Sequence, residues 1–392
     1  MKKKIKVAVV INNRANYARI RSFLIESKKN KRIKIELILA ASSLVEKFGE
    51  LEKIIKEDKL KVSKKLFTII DGDRPVTMAK STAIEISELS NLFENSRPDY
   101  VFAIADRFET LSVAIASSYM NIPLIHLQGG EVTGSIDESV RHAISKFANI
   151  HFPATKLARK NLIRMGENPK TIFNYGCPSI DLAKEITKKK RNLYEILNKY
   201  SFSYQKNFNL KKINRYLVVV QHSVTTEYEK TKEHILETIK AISKIDLNCI
   251  WLWPNIDSGS DIISKQLRIS REKKLLNKVL FIKNIKPEDF LHLINNSLCI
   301  VGNSSVGIRE SSFLGVPSVN IGLRQNGREK GKNVKNVDHS SKKIIEKIKL
   351  QIKNGKYKKS FIYGKGNTGK RILNKLLKYE ITSTQKILSY GK

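Results

Sequence analysis

Between Val101 and His151 the chain reads VFAIADRFETLSVAIASSYMNIPLIHLQGGEVTGSIDESVRHAISKFANIH. Asp106, Arg107, Glu109, His126, Glu131, Asp137, Glu138, Arg141 and His142 fall in or beside the turns between its apolar runs. Val101–Ala105 and Ile122–Leu127 are compact apolar runs without a helical period, so they read as buried strands. The ionisable residues then stand just past the carboxyl ends of two strands, where open α/β sheets bind ligands. Gly129 and Gly130 permit a sharp turn and the close approach of a ligand to the backbone. In the helix expected over Asp137–Ala148, Asp137 and Arg141 share a face at i, i+4, as do Glu138 and His142. Local ion pairing at a helix start would account for that helix alone. So many ionisable groups at loop positions mark a candidate active site.

Two further stretches suit anions. Arg14 follows the first apolar run in NNRANYARI, and its guanidinium is a fixed fork of donors matched to phosphate. No GxGxxG stands there, so the dinucleotide fingerprint is absent. In VGNSSVGIRE, Ser304 and Ser305 stand between a strand and an expected helix start, where hydroxyls and free N–H groups hold anions; a plain N-cap is the alternative. Arg324 and Arg328 follow the next strand, in IGLRQNGREKGKN, and with the serines they point to a bound diphosphate. His222 and Asp257 also follow strands. No Walker lysine–serine pair is present, no carboxylate cluster demands a metal, and no cofactor is expected.

Positioning these groups takes two sets of alternating strands and helices. Lys6–Ile11, Ile33–Ala40, a short strand within Leu60–Ile70, the two central strands, Ile150–Phe152 and Thr171–Tyr175 make the first sheet. Helices lie between, one leading from NNRANYARI to about Lys28 and others over Thr77–Phe93, Asp137–Ala148 and Thr155–Met165. Tyr216–Gln221, Cys249–Trp253, Val279–Ile282, Ser297–Val301 and Ser318–Ile321 repeat the logic. The expected fold class is α/β, with two Rossmann-like domains facing each other across a cleft. The expected domains are 1–180, 181–368, and C-terminal helices over 369–392 that pack back on the first; the Lys-rich stretch after GCPSID marks the connection. A chain of 392 residues with 41% apolar content can build both cores.

The formal charge of +36 tempts a nucleic-acid reading, but the lysines are spread along the chain and arginine, the usual base reader, is the minority cation. No nucleic-acid partner is expected, and a general attraction for anionic ligands is. Cys177, Cys249 and Cys299 are widely spaced, without CxxC or Cys/His pairing, and read as buried thiols in a reducing compartment. The apolar run after MKKKIK is too short for a signal peptide, and nothing approaches the roughly 18–20 apolar residues of a membrane span. A cytoplasmic location without membrane attachment follows.

The motifs NRANY, ADRFE, HLQGGEVTGSIDESVRHAISK, GCPSID, QHSVTT, PNIDSGS, GNSSVGIRE, RQNGREKGKNV and YGKGN occur in this order from Val7 to about Ile372. As a set they resemble the hydrolysing UDP-N-acetylglucosamine 2-epimerases, including the epimerase domain of the bifunctional animal enzyme of sialic acid biosynthesis and bacterial relatives of sialic and legionaminic acid pathways. The resemblance implies a GT-B type fold with UDP held mainly by the C-terminal domain. It puts Ser304, Ser305, Glu310 and Arg324 on the nucleotide, with Glu310 suited to the ribose hydroxyls. Arg14 and His222 would reach the phosphates or the sugar, while Asp106, Glu131, Asp137 and Arg141 map to the sugar side. The implied chemistry is anti-elimination of UDP across C1–C2 to a glycal, then addition of water with inversion at C2, releasing N-acetylmannosamine. Asp106 and Asp137 lead the acid/base candidates; Arg107 and Arg141 would position substrate or tune those carboxylates, with Asn255 and Asp257 behind them. A homodimer or homotetramer is the expected assembly.

Two positions depart from the family pattern. Relatives often carry HxEGGE, and this chain has Gln128 in place of that glutamate; a glutamine cannot exchange a proton at neutral pH. Asn16 stands where relatives often have aspartate. Either Glu131 or Asp137 then takes over the duty, or the substrate differs, for example a GDP- or UDP-linked 2,4-diacetamido-2,4,6-trideoxyhexose of the legionaminic acid pathway. A GT-B glycosyltransferase is the other enzyme class, disfavoured by the acidic cluster at 131–138. A non-hydrolysing epimerase is disfavoured by GGEVTG in place of an EAGLRTG-like stretch.

Overall fold

The run IKVAVVI forms strand β1 (Ile5–Ile11) and shows no alternation because both faces of a central parallel strand are buried. The computed structural model describes residues 4–45, 51–72, 74–200, 213–254, 258–283, 285–381 and 384–390. It divides into two units, one of Met1–Val132, Ile136–Leu182 and Ile362–Lys392, the other of Thr133–Ser135 and Ala183–Phe361.

In the first unit β1 is followed by α1 (Arg14–Lys28), β2 (Ile33–Ala40), α2 (Leu51–Glu57), β3 (Lys64–Leu66), α3 (Pro75–Ser96), β4 (Tyr100–Ile104) and α4 (Phe108–Tyr119). Then come β5 (Leu124–Leu127), α5 (Asp137–Phe147), β6 (Ile150–Phe152) and α6 (Lys156–Arg164), and α7 (Ser179–Ile186) leads into the second unit. The sheet is parallel, in the order β3-β2-β1-β4-β5-β6. One face is covered by α1, whose Ile20, Phe23 and Leu24 pack with the strands; the other is covered by Leu89 and Phe93 of α3 and Val113 of α4.

The second unit holds α8 (Leu193–Tyr200), β7 (Tyr216–Val220), α9 (Thr231–Ser243), β8 (Asn248–Leu252), α10 (Ser260–Glu272), β9 (Val279–Ile282) and α11 (Pro287–Asn296). After β10 (Cys299–Gly302) follow α12 (Glu310–Leu314), β11 (Ser318–Ile321), β12 (Val334–Val337) and α13 (Ser341–Asn354). Its parallel sheet runs β12-β11-β10-β7-β8-β9. Each sheet therefore places its first strand beside its fourth, and the chain leaves those two in opposite directions. Such a switch point is where the crevice of an open α/β sheet lies.

Several expected elements differ. Thr171–Tyr175 is no strand: Ile172 makes a single bridge to His151, and the rings of Phe173 and Tyr175 pack on Phe152 at 5.9 and 5.8 Å instead of extending a ladder. β12 is an addition to the expected strands, a short one with two exposed residues between buried valines. Among its described residues the C-terminal segment holds one helix, α14 (Thr368–Leu376), which packs Ile372, Leu373 and Leu376 into the first unit's core. The described residues beyond it are irregular, with Tyr379 and Ile381 turned onto the same core and Lys386 onto Glu167. No helix among the described residues is long and apolar enough to cross a membrane.

Candidate active site

In the first unit the turns after β1 and β4 leave the sheet side by side. Asparagines tie them together. Asn13 caps α1 by accepting from the Asn16 N–H at 2.9 Å, and Asn16 Nδ2 donates to the Ile104 carbonyl at 3.0 Å. An ionised aspartate at 16 could not make that second bond, since a carboxylate only accepts. Ala105 takes a positive φ of 65°, and Asp106 follows it, buried.

Asp106 forms an ion pair with Arg141 of α5 and lies 3.7 Å from Arg19 of α1. Arg141 is fully buried, and its Nη1 also donates to the Glu131 carbonyl at 2.8 Å. Burial alone would lower the Arg141 pKa, but Asp106, Glu131 and Asp137 outweigh it and raise it. The charge is thus locked in, and one guanidinium fixes the β4 loop, the glycine turn and the head of α5. Asp137, half-buried in the first turn of α5, completes the group. The turn itself needs glycine: at Gly130, with φ of 77°, a Cβ would stand 2.2 Å from the Ala158 carbonyl oxygen.

Arg14, at the head of α1, is half-buried and has no carboxylate partner among the described residues; burial brings its pKa down to about 10. It therefore remains a cation at neutral pH, poorly hydrated and available to an anion. Arg107 is committed differently, with Nε 3.1 Å from Glu109. Gln128 is buried with φ of 71°, and its Nε2 donates to Cys177 Sγ at 2.8 Å. At that position the side chain serves as a donor, which a glutamate could not do when ionised.

His126 has a structural place. It sits inside β5 with no exposure; its Nε2–H donates to the Ala105 carbonyl at 2.8 Å and its Nδ1 accepts from Ser145 Oγ at 3.0 Å. Burial lowers its pKa to about 3, so it stays neutral and braces the β4 and β5 ends. Glu85 of α3 did not figure among the candidates. It is buried, accepts from Asn12 Nδ2 at 3.0 Å and from Thr68 Oγ1 at 3.2 Å, and burial together with Glu109 pushes its carboxyl well above the usual range. The signal was present, since Glu85 lies one and two turns before the buried Leu89 and Phe93.

In the second unit the matching pair is β7 and β10. Asn303 joins their ends as a strand residue would: its Oδ1 accepts from the His222 N–H and its Nδ2 donates to the His222 carbonyl, each at 2.8 Å. The Asn303 carbonyl accepts from Arg324 Nη1 at 3.3 Å and Gln325 Nε2 at 2.9 Å, and Arg328 braces Gln325 at 2.9 Å. Gly302, with φ of 130°, lets β10 pass so close to β7 that a Cβ would lie 2.1 Å from the Val220 carbonyl oxygen. His222, Ser304, Ser305 and Arg324 are thereby held around one buried asparagine. Nothing in the sequence singles out Asn303, because an asparagine after a strand has many other uses.

The expected helix start after GNSS takes another form. Ser304 leads into a single 3-10 turn, Ser305–Gly307, and α12 begins only at the half-buried Glu310 and has five residues. Gly307 must slip under Ser318, where a Cβ would come 2.9 Å from Oγ, and this close packing replaces a regular helix. Any anion here meets turn N–H groups and hydroxyls in place of a long helix end. Asn255 and Asp257 lie outside the described residues.

The sequence profile of the UDP-N-acetylglucosamine 2-epimerase family matches residues 25–377. UDP-N,N'-diacetylbacillosamine 2-epimerase (hydrolyzing) of Legionella pneumophila is 32% identical over 367 residues, covering 93% of this chain and 94% of that protein. GDP/UDP-N,N'-diacetylbacillosamine 2-epimerase (hydrolyzing) of Campylobacter jejuni is 31% identical over 331 residues, 84% of this chain and 83% of its own. Among solved structures, UDP-GlcNAc 2-epimerase of Methanocaldococcus jannaschii in complex with UDP-GlcNAc and UDP aligns with a TM-score of 0.79 at 18% identity, covering 96% of this chain and all of its own. That of Neisseria meningitidis bound to UDP-GlcNAc aligns with 0.77 at 19% identity over the same shares. These likenesses establish two Rossmann-like domains of the GT-B type. Matched by the profile over most of its length and by hydrolysing 2-epimerases over nearly all of it, the chain is an enzyme of the UDP-N-acetylglucosamine 2-epimerase family.

Proposed function

We propose that the protein is a hydrolysing nucleotide-sugar 2-epimerase that converts a UDP-linked 2,4-diacetamido-2,4,6-trideoxyhexose and water into UDP and the free C2 epimer. The observation that carries this reading is the buried Asp106–Arg141 pair, grouped with Glu131 and Asp137 at the switch point that also bears Arg14. In the first step a carboxylate removes the C2 proton while the C1–O bond to the diphosphate breaks, leaving UDP and a C1=C2 glycal. In the second, water adds its oxygen to C1 and a carboxyl returns a proton to C2 from the opposite face. The sum consumes one water and changes no oxidation state.

Asp106 and Asp137 are the acid/base pair in this reading, with Glu131 beside them, since Gln128 cannot exchange a proton. Arg141 positions Asp106 and the glycine turn. Arg14 meets the departing diphosphate, an electrostatic stabilisation of several kcal/mol by analogy with oxyanion sites. The second unit supplies the nucleotide set: His222 and Arg324 for phosphate, Ser304 and Ser305 through hydroxyls and turn N–H groups, Glu310 for the ribose.

The choice of sugar is supported by the names of the Legionella and Campylobacter relatives. A second reading takes UDP-N-acetylglucosamine to N-acetylmannosamine, favoured by the UDP-N-acetylglucosamine 2-epimerase of Neisseria meningitidis, 28% identical over 363 residues. Chromatographic assay of nucleotide release from UDP-N-acetylglucosamine and from UDP- and GDP-linked N,N'-diacetylbacillosamine separates them. The expected result is a kcat/KM for the UDP-linked diacetamido sugar at least about tenfold above the others, a difference of roughly 1.4 kcal/mol in transition-state binding. Preference for UDP-N-acetylglucosamine would establish the second reading. Release from none, with UDP still bound, would overturn both.

A further inference from the structure

The second unit gathers another constellation at the C-terminal edge of its sheet. Glu227 lies in the 3-10 turn Thr225–Lys230 after β7, His234 in the first turn of α9, and His339 in the loop after β12. One oxygen or nitrogen from each of the three lies within 4.8 Å of the other two. The imidazoles are stacked, with centroids 3.6 Å apart and planes 3° from parallel. Both ring nitrogens of His339 and Oε2 of Glu227 are buried, and among the described residues none of them makes a hydrogen bond. Buried polar atoms are costly to leave without a hydrogen-bond partner, so three in one place call for one. Gly322 makes room for the arrangement, since a Cβ there would stand 2.2 Å from His339 Nε2. Burial, with His234 adding to it, lowers the His339 pKa to about 4, and burial lowers that of His234; both rings are neutral at pH 7, the form that binds metal.

Two imidazoles and one carboxylate are the donors that borderline divalent ions select, whereas calcium and magnesium prefer oxygen alone. We propose that Glu227, His234 and His339 bind one divalent transition-metal ion of the zinc class. Binding turns the two rings out of their stack so that one nitrogen of each meets the ion. The ion ties the β12 loop and α9 to the turn that continues from His222, and so orders the segment assigned above to the nucleotide. It takes no part in bond making. No motif announces this site, because its ligands come from three separate stretches and lack the short His or Cys spacing of sequence-readable metal sites.

The test uses the full chain after chelator treatment. Isothermal titration with Zn2+ should give one ion per chain, and Co2+ should develop visible ligand-field bands. Glu227→Gln, His234→Gln and His339→Ala should each lower the affinity by more than the roughly 10–100-fold typical of losing an outer-shell partner. Melting curves of the metal-free variants verify that they fold, and Glu227→Gln, close to isosteric, is the variant safest in this respect. Failure of the parent protein to take up one Zn2+ saturably, or equal uptake by folded Glu227→Gln and His339→Ala, would overturn the proposal. Because the readout is uptake of metal, it is independent of which sugar is turned over.

Discussion

Asp106 is held by Arg141 from one side and approached by Arg19 from the other, so its carboxylate sits among cations before any substrate arrives. Asp106→Asn keeps the shape and removes the charge. We expect kcat to fall by roughly 10²–10⁴, the usual contribution of a general acid or base. We also expect a loss of about 3 kcal/mol in stability, because Arg141 keeps its charge in the interior and loses its hydrogen-bonded carboxylate, with only the more weakly coupled Glu131 and Asp137 left to offset it. Steady-state kinetics and urea unfolding check the two; wild-type kcat in the variant would remove Asp106 from the mechanism. Gln128→Glu tests the departure from the family pattern. The new carboxyl would face Cys177 Sγ where a donor now stands, in a buried place that raises its pKa. A raised folded-state pKa means stability that is present at low pH and lost as pH climbs through that value. The melting temperature of Gln128→Glu should therefore fall further below wild type at pH 8 than at pH 5, with no gain in kcat; a tenfold gain would show that the glutamine is a lost catalytic group. Asp106, Glu131, Asp137 and Arg141 were legible in the sequence because charges between apolar runs stand out. Arg19, Glu85 and Asn303 were not, since each sits within or next to a regular element and only the packing of a second element shows what it touches.

At the scale of elements, the site is a set of strand-to-helix turns, and these turns are held from behind. Glu167 shows how. It is buried 3.0 Å from His151 Nε2, 2.9 Å from Lys146 Nζ of α5 and 2.5 Å from Lys386 Nζ of the C-terminal segment. Lys386 also donates to the carbonyls of Ser145 and Lys146, at the end of the helix that carries Asp137 and Arg141. Burial pushes the Glu167 carboxyl up, yet His151 and Lys386 outweigh it and bring it down to about 2. A depressed carboxyl contributes stability above its ordinary range near 4.5 and loses it as pH falls toward 2. Glu167→Gln should accordingly be less stable than wild type at pH 7, and the two acid-unfolding curves should converge between about pH 4.5 and 2. Parallel curves would mean that the cluster carries no net stabilisation. The strands at the centres of both sheets were readable because a short, unbroken apolar run between turn residues suits a parallel strand buried on both faces. The edges were not: β12 alternates over only four residues, and Phe173 and Tyr175 look like strand residues while serving as packing surface.

For the whole molecule, two sheets of like strand order each bring a first and a fourth strand together, and each switch point carries its own chemistry. Carboxylates and a locked arginine occupy one; hydroxyls, an arginine and a histidine around Asn303 occupy the other. The charge of +36 fits a chain that draws in a dianionic substrate through a diffuse positive field. The repetition could be read from the sequence, since two successive sets of short apolar strands and helices allow little else. The geometry of the turns could not, because it depends on single contacts such as Asn16 to Ile104 and Gly302 to Val220. Elimination followed by addition of water makes one demand that a simple hydrolase does not: the hydrogen at C2 must come from solvent. Proton NMR of the reaction in D2O, with the UDP-linked sugar that turns over fastest, reads this directly. The expected products are UDP and a free sugar inverted at C2 and carrying one deuterium there. A released sugar that retains its C2 proton and configuration would rule out elimination.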